Sequence, residues 1–283
     1  MSIAKSALAL LGPAGLLLAA AVAGMAPAAR PVAAAVPGTA GAIASALPGQ
    51  AGFGTVKGKL VWGGAQAPTL PPLVAKGDPN VKDGAVCAVN GIADTSLVVD
   101  PATKGVKYGL AYLVRPKGAN PAAAKALLAT PKVVMDQKGC EFLPRNIAVH
   151  KDQAVVFKSS DSVGHNVRYS GFSNTAANFT LPPNGEAEKK LVAERLPIVV
   201  VCDIHPWMKG HVAVFDHPFF AMTGDDGSFE IQGVPAGAQN LVVWQERVGY
   251  VSAGGTRGQA VTVPANGVVD VGTITLDPAK VKK

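Results

Sequence analysis

Charge is scarce in this chain: only 16% of its 283 residues are Asp, Glu, Lys or Arg. No long polar helical pattern runs through it either, which argues against a helical protein. No cluster of Lys and Arg interleaved with aromatic residues appears, so nucleic acid is not an expected partner. Past the N-terminal segment, no apolar run is long enough to span a bilayer. Cysteine is limited to three residues and histidine to five, so a site built from them can only be small. What the chain has in quantity is Gly (32) and Pro (22), which favours short strands joined by turns. The length suggests one or two domains, and the net charge of +7 could draw the protein towards acidic proteins or anionic lipid.

Lys5 precedes the uncharged run "SALALLGPAGLLLAAAVAGMAP", with small residues at Ala21, Ala23, Ala26 and Ala28 where a signal peptidase could cut. Residues 1–24 therefore read as a secretory leader, and the membrane enters only if that leader is retained as an anchor. No cysteine lies near these cleavage sites to carry a lipid. Residues 25–52, rich in Ala, Pro and Gly, read as a linker, and 278–283 as a tail. A periplasmic or secreted location follows.

Export changes the reading of the cysteines, because thiols outside the cytoplasm pair or bind metal. Cys202 has His205 three residues away, whereas Cys87 and Cys140 have no such neighbour. The expectation is a Cys87–Cys140 disulfide, contributing about 4 kcal/mol on chain-entropy grounds, with Cys202 left as a metal thiolate. Two separate buried thiols at 87 and 140 are the alternative.

Alternation in "TVKGKLVW" puts Val56, Leu60 and Trp62 on one face of a half-buried strand and Thr55, Lys57 and Lys59 on the other. A Pro-rich loop follows over 67–79. In "NPAAAKALLAT", Asn120 is a candidate N-cap with Pro121 at the first helical position. Strand patterns then come densely from 131: "KVVMD", "NIAVH", "AVVFKSS" and "HNVRYS". "LPIVVVC" is an unbroken apolar run, which predicts a strand covered on both faces that ends at Cys202. "SFEIQGV" and "NLVVWQE" read as a hairpin, and the phase shift at Gly272 in "GVVDVGTITL" as a bulge. The fold class is all-β.

Seven residues, "CDIHPWM", hold a thiolate, an imidazole and a thioether in the spacing Cys-x2-His-x2-Met. A soft thiolate with imidazoles and a weak Met is the donor set of a blue-copper electron-transfer site. Zinc is the other metal considered, but structural zinc rarely takes Met. A second imidazole must come from elsewhere. His165, in the polar loop "SSDSVGHNV", is the strongest candidate, while His150, His211 and His217 read as structural. Cys202 and His205 as nucleophile and base is a further reading, although three positions in a tight loop suit one metal better.

"DQKGCEFLPRNIAVHKDQAVVFKSSDSVGHNV" followed by "VVVCDIHPWMKGHVAVFDHPFF" resembles the cupredoxins, with a short ligand loop of the amicyanin type as in methylamine-utilisation-like secreted proteins. The resemblance covers about residues 131–217 and implies a Greek-key β-sandwich or barrel. It implies one type 1 copper ion held by His165, Cys202, His205 and Met208. It also implies that Asn166 ties its loop to the segment after the cysteine, where Asp203 replaces the family's usual small residue. His205 would reach the surface with Pro206 and Trp207 as a docking patch, Phe172 being a weaker candidate and Trp207 in the core the alternative.

"FAMTGDDGSFEIQGVPAGAQNLVVW" resembles the carboxypeptidase-regulatory-like (transthyretin-like) β-sandwich. That resemblance implies a small sandwich split over 53–118 and 218–277, with the cupredoxin domain, 119–217, inserted between its halves. One extended cupredoxin with added strands is the plainer alternative. The function expected is an exported carrier of single electrons between redox partners, with an acidic partner such as a dehydrogenase or a cytochrome. Copper storage or delivery, or a structural binding role, is the alternative. An enzyme is not expected: no His-x-His motif occurs, and Val201 and Asp203 rather than histidines flank Cys202.

Overall fold

The computed structural model describes residues 52–282. The expected leader (1–24) and all of the linker (25–52) except Gly52 lie outside the described residues. Among the described residues strands dominate, and α-helix is confined to Gly84–Cys87 and Pro121–Leu128. The second helix starts as its sequence predicts: Asn120 Oδ1 accepts from the Ala123 N–H at 3.0 Å, and Pro121 occupies the first position, where an N–H would go unused.

Strands between 132 and 215 form two sheets. One runs Ala177–Leu181, His165–Ser170, Ile198–Val201, Lys209–Phe215, Asn146–His150, with the last pair parallel. The other runs Glu186–Lys190, Ala154–Ser159, Lys132–Gln137, Phe142–Leu143. Their β-branched and aromatic residues meet in a single core, Met135, Val155 and Phe157 from one sheet facing Val167, Val200, Val212 and Val214 from the other. Phe157 stacks on Tyr169 at 5.9 Å inside it. Truncating a residue so placed typically costs about 3–5 kcal/mol.

Ile198–Val201 departs from its expected double coverage. Val200 is fully buried but Val199 is 41% exposed, because the outer face of this sheet is covered only further along, at Ala213 and Phe215. The strand is apolar throughout, yet only alternate residues enter the core.

Remaining strands pair among themselves. Phe53–Trp62 lies between Ser228–Pro235 and Val268–Leu276, parallel to the latter. Leu110–Leu113 lies between Phe220–Met222 and Gly237–Gln245, which also pairs with Gly249–Tyr250 and Gln259–Val263. Val56, Leu60 and Trp62 are buried as their alternation predicts. Gly272, at φ +70°, lies where the register against Lys57 and Lys59 shifts, which is the predicted bulge. Leu110, Tyr112, Val242 and Trp244 on the outer face of the second group pack against Ala213 and Phe215 of the first.

Residues 63–97, between Phe53–Trp62 and Val98–Val99, contain no long strand. Part of this segment crosses to the first group, where Val74, Cys87, Ala88 and Ile92 join its core. That path ends beside the predicted metal ligands.

Candidate metal centre

Cys202 follows directly on Ile198–Val201, so the central strand of the sheet sets its position, and His165 opens the adjacent strand His165–Ser170. The next residues turn tightly: the Met208 N–H donates to the His205 carbonyl at 2.9 Å and the Cys202 N–H to the Met208 carbonyl at 3.3 Å. This brings three of the four predicted donors together. His165 Nδ1 and His205 Nδ1 lie 2.9 Å apart, and Cys202 Sγ is 4.0 Å from the first and 3.8 Å from the second. Donors sharing one ion at about 2.0 Å (nitrogen) and 2.3 Å (sulfur) are spaced on this scale. Met208 is buried at the end of the same turn.

Each imidazole turns its outer nitrogen to a carboxylate. His165 Nε2 is 2.9 Å from Asp161 Oδ2, and His205 Nε2 is 3.0 Å from Asp83 Oδ2. An ionised carboxylate only accepts, so each ring carries a proton on Nε2 and, in its neutral form, turns the Nδ1 lone pair inward. Two lone pairs and a sulfur then face one point inside a closed site, an arrangement that calls for a cation. The residues therefore fit a soft metal ion, with the carboxylate–histidine arrangement that orients metal-bound imidazoles generally.

Burial by itself would raise the Cys202 thiol. Hydrogen bonds with His165 and His205 and from the Asn166 N–H (3.4 Å to Sγ) outweigh it and bring the thiol down from 9.0 to about 6. Burial also pulls His165 towards the neutral form, but its contacts with Cys202 and Asp161 prevail and raise it. The site thus favours the thiolate, the form that binds metal.

Asn166 spans the two ligand loops. Its Oδ1 accepts from the Asp203 N–H and, at 3.4 Å, from the Ile204 N–H. Its Nδ2 donates to Asp203 Oδ2 at 3.2 Å and to Asn178 Oδ1 at 2.8 Å. Asp203 also takes Arg168 Nε at 2.7 Å, so a carboxylate at this position adds ties that a small residue would lack.

Cys87 and Cys140 form a disulfide, with Sγ atoms 2.03 Å apart, and Cys202 is the free cysteine among the described residues. The disulfide sulfurs and a ring nitrogen of His205 all lie within 4.8 Å of one another. His205 has no exposed edge, a correction to the expected surface position: Asp83 and the disulfide close over it. Pro206 is exposed, whereas Trp207 is half-buried and donates Nε1–H to the Cys140 carbonyl at 3.1 Å. Phe172 is 83% exposed, in the turn after Ser170, the far end of the strand from His165.

His150, His211 and His217 take no part in the cluster. His211 Nδ1 pairs with Asn146 Oδ1 at 3.0 Å, and the His217 ring stacks on Phe219. The two carboxylates Asp83 and Asp161 were not singled out from the sequence. Asp161 left a trace, lying four residues before the predicted ligand His165, but Asp83 left none.

No protein-family model matches the chain, nor does any curated protein. Solved structures similar to it include a Cu-containing nitrite reductase from Thermus scotoductus SA-01, at 19% identity and a TM-score of 0.27, covering 30% of this chain and 22% of that one. This chain thus spans about a fifth of that reductase. The Cu(I) form of the M51A mutant of amicyanin is 19% identical with a TM-score of 0.27, covering 37% of this chain and 98% of its own. A purple cupredoxin from Nitrosopumilus maritimus is 20% identical with a TM-score of 0.25, covering 30% and 98% respectively.

Proposed function

We propose that this chain is an exported mononuclear type 1 copper protein that carries single electrons between redox partners. The observation that carries the reading is the convergence of His165 Nδ1, His205 Nδ1 and Cys202 Sγ, with both rings held from behind by carboxylates. His165, His205 and Cys202 would hold the ion, with Met208 as a weak thioether ligand. Copper bound there would supply one-electron chemistry. The protein's own residues keep the site dry and rigid: Cys202 ends a central strand, Asn166 and Asp203 lock the two loops, and the Asn166 N–H steadies the sulfur. Burial of every donor favours retention of the metal over delivery.

An electron carrier rather than an enzyme also accords with the histidines, since the three outside the cluster are engaged in structure. Pro206 and Trp207 are the proposed docking patch for a partner protein of acidic character, such as a dehydrogenase or a cytochrome. The flanking strands of 53–118 and 218–277 are proposed as a carboxypeptidase-regulatory-like sandwich interrupted by 119–217, and the leader as the signal that delivers the protein to the periplasm or outside the cell.

Copper titration of the purified protein, followed by its visible spectrum, tests the reading. An intense thiolate-to-Cu(II) band saturating at one equivalent, and absent in Cys202→Ser, is expected. A colourless, copper-loaded protein would refute it.

A further inference from the structure

Asp83 holds a position that its own helix does not explain. It precedes Gly84–Cys87 at the N-cap, where an Asp side chain ordinarily accepts a hydrogen bond from the first turn, yet it makes no such bond. Its backbone is left-handed, at φ +55° and ψ +35°, a region Asp tolerates better than most residues, and this turns the side chain away from the first helical turn. Its Oδ2 instead meets His205 Nε2, 3.0 Å away and 122 positions distant in sequence, while Oδ1 lies 3.7 Å from the Lys82 ammonium.

Residues 73–92 carry this carboxylate as a closed strap. Val74 and Ile92 bridge its two ends, the Ile92 N–H donating to the Val74 carbonyl at 2.9 Å and the Leu73 N–H to the Ile92 carbonyl at 2.8 Å. The Gly77 N–H donates to the Ala88 carbonyl within the loop. Only the Cys87–Cys140 disulfide fastens the strap covalently to the ligand-bearing sandwich, four residues from Asp83 and beside the His205 ring. Val74, Cys87, Ala88 and Ile92 share one core with Cys202 and Met208.

We propose that the strap 73–92 is a retention clasp for the metal centre and that Asp83 is a positioning residue acting through His205. The inference rests on the metal-centre reading above. Asp83 fixes the His205 ring with its Nδ1 lone pair inward, and the disulfide keeps Asp83 in place. Together they cover the His205 side of the site, beside the Trp207 ring, whose centroid lies 5.3 Å from that of His205. Outer partners of metal-bound imidazoles typically contribute about 10–100-fold in metal affinity.

Two readouts on the full-length protein test it, with Asp83→Asn, Asp83→Ala and the pair Cys87→Ser/Cys140→Ser checked for folding by circular dichroism. In the metal-free protein, alkylation of the single Cys202 thiol by iodoacetamide is expected to be at least ten-fold faster in the Ser pair and in Asp83→Ala. In the copper-loaded protein, loss of the visible band to a chelator is expected to be ten-fold or more faster in the same variants, with Asp83→Asn intermediate. Asp83→Ala introduced into the Ser pair should add little, since both changes undo one clasp. Rates within two-fold of wild type in folded variants overturn the proposal. If the wild-type protein takes up no copper, the metal-centre reading falls while the alkylation rates still decide whether the strap closes the site.

Discussion

Asp161 and His165 form a unit that reaches across the sandwich. Oδ2 of Asp161 lies 2.9 Å from His165 Nε2 and also accepts the Cys140 N–H at 2.8 Å, while Oδ1 takes the Gly139 N–H at 2.7 Å. Gly139 and Cys140 both have positive φ, so the turn that presents these two N–H groups is shaped around the carboxylate. One side chain thereby anchors the disulfide turn and one candidate ligand together.

Replacing Asp161 by Ala therefore removes three hydrogen bonds to a buried charge. We expect a loss of about 3 kcal/mol in stability and a 10–100-fold loss in copper affinity. Urea unfolding of the metal-free protein and a competitive copper titration measure the two. Unchanged affinity in a folded variant would show that the His165 ring needs no outer partner.

Local pattern marked Cys202, His205 and Met208 as candidate donors, and the structure brings the first two to His165 and buries Met208 in the same turn. His165 was legible because a polar His-Asn turn lies just before a strand. Asp83 was not: nothing in "KGDPNVKDGAV" marks one aspartate over another, and its role exists only through a disulfide that folds a distant loop onto the site. For the same reason the short helix Gly84–Cys87 had no signal, since tertiary packing of Cys87 and Ala88 rather than propensity holds it. The exposed side of Val199 was misread because periodicity is silent within an all-apolar run, and only the placement of the neighbouring strands decides which faces are covered.

Arg145, between Phe142–Leu143 and Asn146–His150, and Glu246, just after Gly237–Gln245, join the two groups of strands. Nε donates to Oε1 and a terminal guanidinium N–H to Oε2, with the two side chains only 9% and 3% exposed. Glu246→Ala leaves the guanidinium buried without its partner, and a loss of about 3–5 kcal/mol is expected. Arg145→Met with Glu246→Leu should recover most of it, because neither desolvated charge then remains. Thermal unfolding of the single and double variants measures this, and a double variant no more stable than the single one would contradict the argument.

The candidate site is bordered by exposed lysines: Lys82 beside Asp83, Lys138 before Gly139, and Lys209 after Met208. With a net charge of +7, electron exchange with an acidic partner is expected to slow as salt rises, since exposed charges are screened beyond about 10 Å at 0.1 M. Lys82→Glu with Lys209→Glu should lower the low-salt rate and flatten its salt dependence. Stopped-flow rates at several ionic strengths test this, and a salt-independent wild-type rate would remove the acidic partner from consideration.

Acid should destabilise the protein through two histidines remote from the cluster. Burial first, with Lys209 and Arg145 adding to it, depresses His211 to about 3; burial likewise takes His217 to about 4, although Asp216 opposes it. Glu246 Oε2 approaches His211 to 3.6 Å but is engaged by Arg145, so it does not rescue the charged ring. Unfolded, both residues titrate near 6.5. Above that pH neither affects stability. As pH falls through 6.5 the unfolded chain binds protons that the fold refuses. Stability then drops by up to about 1.4 kcal/mol per pH unit for each histidine, levelling off once the folded-state values are passed. Urea midpoints of the metal-free protein between pH 5.5 and pH 4.5 should show this slope, and His217→Gln should reduce it. An equal slope in the variant would mean that other groups govern the acid limb.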